Sequence, residues 1–188
     1  GTLWPLYHDV ISPPVYHRTW WDSYQRVNRR FAERVAAEAS EGAIVWVHDY
    51  QLQLVPELLR ELRPDVTIAF FLHIPFPPRS LFAPLPWRRQ IVRGLLGADV
   101  IGFQRVQDAV NFRFVSERYA GAPARGNTVV IPDAPGQPSR SVLAQECPTS
   151  IDAGGFEALA ASPEVQRRAQ EIREELGTER TILLGVDR

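Results

Sequence analysis

Hydrophobic residues recur along this chain at two spacings, and the alternation between them predicts its elements. Gly1 to Pro14 is aromatic and proline-rich and reads as irregular. From Val15 the pattern turns helical: Trp20, Tyr24, Val27, Phe31, Val35 and Ala36 recur at three- and four-residue steps, with Arg and Glu between them. Gly42 is placed to end that helix in a left-handed cap. Ala43 to Val47 is a short unbroken apolar run and reads as a buried parallel strand. Leu54 to Arg63 follows as an amphipathic helix, stopped at Pro64.

The unit then recurs. Thr67 to Leu72 reads as a second buried strand, which Pro75, Pro77 and Pro78 forbid from continuing. Leu81-Phe82 and Trp87 to Leu96 read as helical, closed by Gly97. Val100 to Phe103 is a third strand, and Val106 to Arg118 a third amphipathic helix. Strand and helix alternating at this spacing predict an α/β fold around a parallel sheet, with Val45, Ile68, Phe70 and Val100 in its core. Gly121 to Ser141 breaks the rhythm and reads as a loop or weak hairpin, with Thr128 to Ile131 its one possible strand. Ser162-Pro163-Glu164 announces a further helix, with Ser as cap and Pro at its first position; Gly177 stops it. Thr181 to Val186 reads as a last buried strand.

Composition narrows the class. Of the 188 residues, 45% are hydrophobic and 23% charged, with a net charge of −1. That balance gives no reason to expect a nucleic-acid or acidic-membrane partner, and no apolar run reaches the ~20 residues of a membrane span. A single cysteine, Cys147, excludes an intrachain disulfide and any multi-cysteine metal site. Neither methionine nor lysine occurs. The missing methionine reads as a piece of a longer chain, and the arginine-only basic set as a coding bias.

In an open α/β sheet, ligands sit beyond the carboxyl ends of the strands. That rule selects His48-Asp49-Tyr50, His73 with its Pro-rich turn, and Asp187-Arg188. Asp49 suits acceptance from sugar hydroxyls, or capping of the next helix. His73 suits donation to a hydroxyl or a developing charge, or a satisfied core position. Arg188 suits phosphate, or simply an exposed end. His48, one residue before Asp49, should point the other way and pack; His8 and His17 are poorer candidates. Gly-x-Gly-x-x-Gly, a phosphate loop ending in Gly-Lys-Ser/Thr and a Gly-x-Ser-x-Gly elbow are all absent, and four scattered His with one Cys make no zinc site.

Longer motifs are more specific. Leu3-Trp4-Pro5-Leu6-Tyr7-His8, Val45-Trp46-Val47-His48-Asp49-Tyr50-Gln51-Leu52 and Phe70-Phe71-Leu72-His73-Ile74-Pro75-Phe76-Pro77 resemble the trehalose-6-phosphate synthase family. So do Gly94 to Asp99, Ile101-Gly102-Phe103 and Leu184 to Arg188, in the same order over nearly the whole chain. The Gln51-Leu52-Gln53-Leu54 variant and the lysine-free composition resemble an actinobacterial member.

The resemblance implies a GT-B glycosyltransferase of two Rossmann-like domains. Residues 1–155 would be a partial N-terminal, acceptor-side domain. Residues 156–188 would be a linker helix and the first strand of the nucleotide-sugar-binding domain. The implied activity is retaining transfer of glucose from UDP-glucose, or another nucleotide-glucose, to glucose 6-phosphate, giving trehalose 6-phosphate. It implies no metal or other cofactor, a cytoplasmic location and a homo-oligomer, often a tetramer. Trp4 and Asp49 would belong to the glucose-6-phosphate pocket, and His73 and Arg188 would be catalytic residues on the donor side. The chain by itself would be half of a cleft and inactive. The likeness weakens between Tyr119 and Asp152, where Glu146-Cys147-Pro148-Thr149-Ser150 stands in place of a Phe-Pro-Ile-like turn. That leaves two alternatives: a related transferase or pseudo-glycosyltransferase with altered substrates, and a non-catalytic sugar-phosphate-binding member.

Overall fold

The structure is a computed structural model that describes residues 1–10, 13–132, 139–177 and 181–185. The chain packs as two units, Gly1–Pro148 and Thr149–Arg188. The first unit contains α1 (Leu3–Tyr7), α2 (Arg18–Glu38), β1 (Ile44–His48), a short 3-10 turn (Tyr50–Leu52), α3 (Val55–Leu62) and β2 (Thr67–Leu72). It continues with α4 (Arg79–Phe82), α5 (Arg88–Leu96), β3 (Val100–Phe103), α6 (Val106–Ala120), β4 (Ala124–Arg125), β5 (Thr128–Ile131) and β6 (Arg140–Glu146).

The six strands form one sheet in the order β1-β2-β3-β6-β5-β4. β1, β2, β3 and β6 run parallel, while beyond β6 the strand β5 pairs antiparallel with it and β4 pairs antiparallel with β5. The sheet is therefore mixed, and the segment 121–141 holds more structure than its Gly, Pro and Ser content predicts. Besides the two-residue β4, the hydrophobic pattern misses β6. Its buried positions are Val142 and Ala144 alone, too short an alternation to stand out after the 133–138 stretch.

One face of the sheet carries the core: Val47, Ile68, Phe70, Leu72, Ile101, Phe103, Val142 and Ala144 are buried together. The opposite face is more open. On β1, Ile44 and Trp46 are 79% and 64% exposed. Ala43 to Val47 was expected as a buried strand; among the described residues β1 is the outermost strand and only its Val47 is fully enclosed. Of the four expected core positions, Ile68 and Phe70 are buried, and Val45 and Val100 are half-buried.

The residues between strands explain the helix positions. α2 ends four residues before Gly42, which takes a left-handed φ of 67° in the turn into β1. The helix is closed instead by Arg63, whose guanidinium donates to the carbonyls of Ala36, Ala39 and Ser40. Gly94 and Gly97 let α5 lie directly on α3: a Cβ at Gly94 would come within 2.5 Å of the Gln53 carbonyl oxygen. At Gly97 a Cβ would overlap the backbone of Pro56 and Glu57. Next to them, Asp99 accepts from the Ile68 N–H at 2.7 Å and pairs with Arg60 and Arg140, tying the start of β3 to β2. α1 is helical where an irregular stretch was expected, because Leu6 and Tyr7 bury one side of it.

In the second unit, α7 (Ala153–Ala160) is capped by Asp152, which accepts from the Gly155 N–H at 3.0 Å. α8 (Pro163–Leu176) starts as expected, with the Ser162 hydroxyl accepting from the Val165 N–H. Residues 181–185 form no strand, contrary to expectation. They have no ladder partner, and Leu183 and Leu184 are exposed.

Candidate functional site

The site lies at the carboxyl ends of β1 and β2. His48 is the last residue of β1 and Asp49 follows it. Asp49 has φ 71° and ψ 171°, a conformation that only glycine enters freely. Three contacts hold it there. Its N–H donates to the Phe71 carbonyl at 2.8 Å, and its carbonyl accepts from the Leu52 N–H at 3.1 Å. Its carboxylate accepts from the His73 N–H at 3.3 Å. The alternative reading of Asp49 as a helix cap is not met, since its side chain makes no capping bond to the turn that follows.

A buried polar network locks the segment after Asp49. Asn28 and Gln53 are fully enclosed. The Asn28 amide donates to the carbonyls of Tyr24 and Gln51 and accepts from the Leu54 N–H. The Tyr24 hydroxyl donates to the Tyr50 carbonyl at 2.7 Å and accepts from the Gln53 N–H. Tyr7 donates its hydroxyl to the Gln53 side chain at 2.9 Å. Burial pushes the hydroxyls of Tyr7 and Tyr24 well above the usual phenol range, and the Asp49 charge adds to the effect at Tyr24. Both therefore remain protonated donors, and every member of the network has a partner, the condition for such a network to rigidify a site.

His73 is positioned by the core below it. It follows Leu72 directly, and three residues later the ring of Phe76 is buried among Tyr7, Phe82, Phe103 and Phe112. Asn111 of α6 donates to the Phe76 carbonyl at 3.1 Å. The Pro-rich turn is thus pinned on its inner side while the His73 ring stays exposed. The ring is not a satisfied core histidine. Its Nε2 lies 2.9 Å from Nδ1 of His48, and the two rings stack with centroids 5.2 Å apart. His48 is exposed, not packed away, which corrects its sequence reading. Register explains it: His48 pairs with Phe71, so His48 and His73 stand on the same face of the sheet.

Trp4 is 49% exposed on α1, with its ring 3.7 Å from that of His8 and 6.2 Å from that of Tyr50, the neighbour of Asp49. It borders an aromatic hollow of about 450 Å³ lined also by Trp20, Trp21, Tyr24, Tyr50 and Trp87. Neither Asp49 nor His73 lines that hollow. Of the predicted residues, the structure joins Asp49 and His73 directly, while Trp4 is linked to them only through its ring contact with Tyr50. Arg188 and Asp187 lie outside the described residues. The strand-end rule selects His48 and Tyr50 along with Asp49, but the sequence reading gives neither of them a role, and it turns His48 away from the site. Among the described residues, no group of three or more His, Cys, Asp or Glu could hold a metal ion, and no helix is long and apolar enough to cross a membrane. Cys147 is a free, half-buried thiol beside Gly102.

Comparison with known proteins follows the same lines. The family model of glycosyltransferase family 20 matches residues 1–188. The trehalose-6-phosphate synthase of Mycobacterium avium is 56% identical over 191 residues, covering all of this chain and 39% of the relative. The chain thus spans about two-fifths of the length of that relative. The N-terminal domain of Candida albicans trehalose-6-phosphate phosphatase superposes with a TM-score of 0.77 at 32% identity, over 92% of this chain and 36% of that one. A UDP-forming α,α-trehalose-phosphate synthase from Burkholderia xenovorans, in complex with glucose 6-phosphate, superposes with a TM-score of 0.74. It is 28% identical over 90% of this chain and 38% of that one.

Proposed function

This chain belongs to glycosyltransferase family 20, and from that premise we propose that it forms the acceptor-side part of a retaining glucosyltransferase. The complete enzyme moves glucose from UDP-glucose to glucose 6-phosphate and makes trehalose 6-phosphate. The observation that carries this reading is the pairing of Asp49 and His73 at adjacent strand ends, with the Asp49 carboxylate bound to the His73 N–H. The Burkholderia relative, UDP-forming and bound to glucose 6-phosphate, supports the choice of substrates.

In the proposed reaction the anomeric hydroxyl of glucose 6-phosphate attacks C1 of the donor glucose from the face that the diphosphate leaves. The new C1–O bond forms as the bond to the diphosphate breaks, and the hydroxyl proton passes to a departing phosphate oxygen. UDP is the second product. Asp49 accepts hydrogen bonds from acceptor hydroxyls, holding the nucleophile by proximity. His73 orients the donor glucose, and Trp4 supplies an apolar wall to the acceptor. Arg188 meets the diphosphate charge with its fork of donors. This charge stabilisation by guanidinium assigns no metal to the step, and the cytoplasm is the proposed place of work.

A second reading is favoured by the Candida likeness, because that domain belongs to a protein named as a phosphatase. In it, the same fold binds a sugar phosphate without transferring glucose. The deciding experiment supplies the complete protein with UDP-glucose and glucose 6-phosphate and follows UDP release and trehalose 6-phosphate formation. Transfer is expected. Saturable glucose-6-phosphate binding with no transfer would establish the second reading, and no binding of either sugar would overturn both.

A further inference from the structure

We propose that His48 is a positioning residue for His73, and that the bond between the two rings decides which nitrogen of His73 faces the sugar. The inference rests on the transferase reading above. It starts from the 2.9 Å separation of His48 Nδ1 and His73 Nε2. Two imidazoles joined this way share one N–H. If His48 Nδ1 accepts, His73 is protonated at Nε2 and offers a lone pair at Nδ1. If His48 Nδ1–H donates, His73 is protonated at Nδ1 and offers a hydrogen there. In both cases Nε2 of His73 is engaged, and Nδ1 is left as the atom for a sugar hydroxyl, with its role fixed by the partner ring.

The surroundings hold the pair in place. Trp46 stands behind His48, with ring centroids 4.5 Å apart, and Phe71 meets the His73 ring edge-on at 4.7 Å. Trp46, His48, Phe71 and His73 thus form a run of four rings on the open face of the sheet, set by the β1–β2 register. On the backbone side, the His73 N–H is held by the Asp49 carboxylate. His73 is therefore fixed at two points, by Asp49 through its main chain and by His48 through its ring. Substrate closing over the pair removes water and strengthens a bond that is weak while exposed.

The test compares His48→Phe, which keeps a ring between Trp46 and His73 but removes its nitrogens, with His48→Asn, whose amide places one hydrogen-bonding atom near the lost Nδ1. In the complete protein, His48→Phe should lower kcat about tenfold to a hundredfold, the order of loss when a reacting group is misplaced by about 1 Å. KM for glucose 6-phosphate should change far less than kcat, and His48→Asn should recover most of the rate. Adding His48→Phe to His73→Ala should cost little beyond His73→Ala alone, because the two residues act as one unit. Full activity of His48→Phe, an Asn variant as poor as the Phe variant, or losses that multiply in the double variant would overturn the proposal. A second arm needs no activity. In the 15N-labelled complete protein, the ring-nitrogen signals of His73 should move on His48→Phe and return towards their original positions on His48→Asn. Unmoved signals overturn the pairing even if the enzyme is active. An inactive unmodified enzyme with moved signals overturns the transferase reading and leaves the pair standing.

Discussion

Replacing Asp49 separates what its backbone costs from what its carboxylate contributes. A non-glycine residue at φ 71° and ψ 171° is strained by about 1–3 kcal/mol. The half-exposed bond from the His73 N–H, at 3.3 Å, offsets about 1 kcal/mol of that. Asp49→Ala keeps the strain and discards the bond, so it should lower stability by about 1 kcal/mol. Asp49→Gly discards both, at a cost of roughly 0.5–1 kcal/mol for the added freedom of the unfolded chain. The glycine variant should therefore be more stable than the alanine variant by up to roughly 2.5 kcal/mol. Urea denaturation of the 188-residue chain, followed by tryptophan fluorescence, resolves that difference if the two slopes are equal. Binding should run differently. In the complete enzyme both variants should lose about 1.5–3 kcal/mol of glucose-6-phosphate affinity, the range for hydrogen bonds to a charged group, and keep their donor affinity. An alanine variant more stable than the glycine variant would refute the strain. Equal loss of both substrates would refute the assignment of Asp49 to the acceptor.

Two further changes probe the frame around the site. Gly97→Ala should destabilise the chain by at least about 1–3 kcal/mol, since its methyl meets only the backbone of Pro56 and Glu57, which cannot turn aside; an unchanged urea midpoint would contradict the close α3–α5 approach. Hydrogen bonds from Arg63 and from the Gly42 N–H hold the Asp65 carboxyl well below the usual range. Its folded value thus lies below its unfolded one, so its contribution is present above the unfolded value and is lost as pH falls through the folded one. Asp65→Asn should accordingly flatten the acid side of the stability–pH curve, and an unaltered acid side would count against the pairing.

The parts of the fold that could be read from sequence are those whose burial is local. Thr67 to Leu72 and Val100 to Phe103 are continuous apolar runs because both lie inside the sheet, with strands on either side. Ala43 to Val47 has the same composition but lies at the edge, and no pattern within five residues distinguishes the two settings. β6 was hidden for the opposite reason: Ser141 and Gln145 interrupt it, and its place in the sheet depends on β3, some forty residues earlier. The strand-end positions of Asp49 and His73 are legible in the sequence, and strand ends are where an α/β sheet binds its ligands. His48 was misread because alternation along one strand does not say which residue of the next strand stands beside it. That required the register of β1 on β2.

β6 also sets an order of assembly. On one side it pairs antiparallel with β5, its neighbour in sequence, and on the other it pairs parallel with β3, matching Leu143 to Val100. Hairpins close in microseconds, whereas parallel pairing must wait for long loops to close. The β4–β5–β6 piece can therefore form early as a unit and dock late. Docking by one residue out of step would turn Val142 and Ala144 away from the core and Ser141 and Leu143 into it. The sheet thus has a seam between β3 and β6, where two separately nucleated halves must meet in register before the strand ends that carry Asp49 and His73 rest on a finished core.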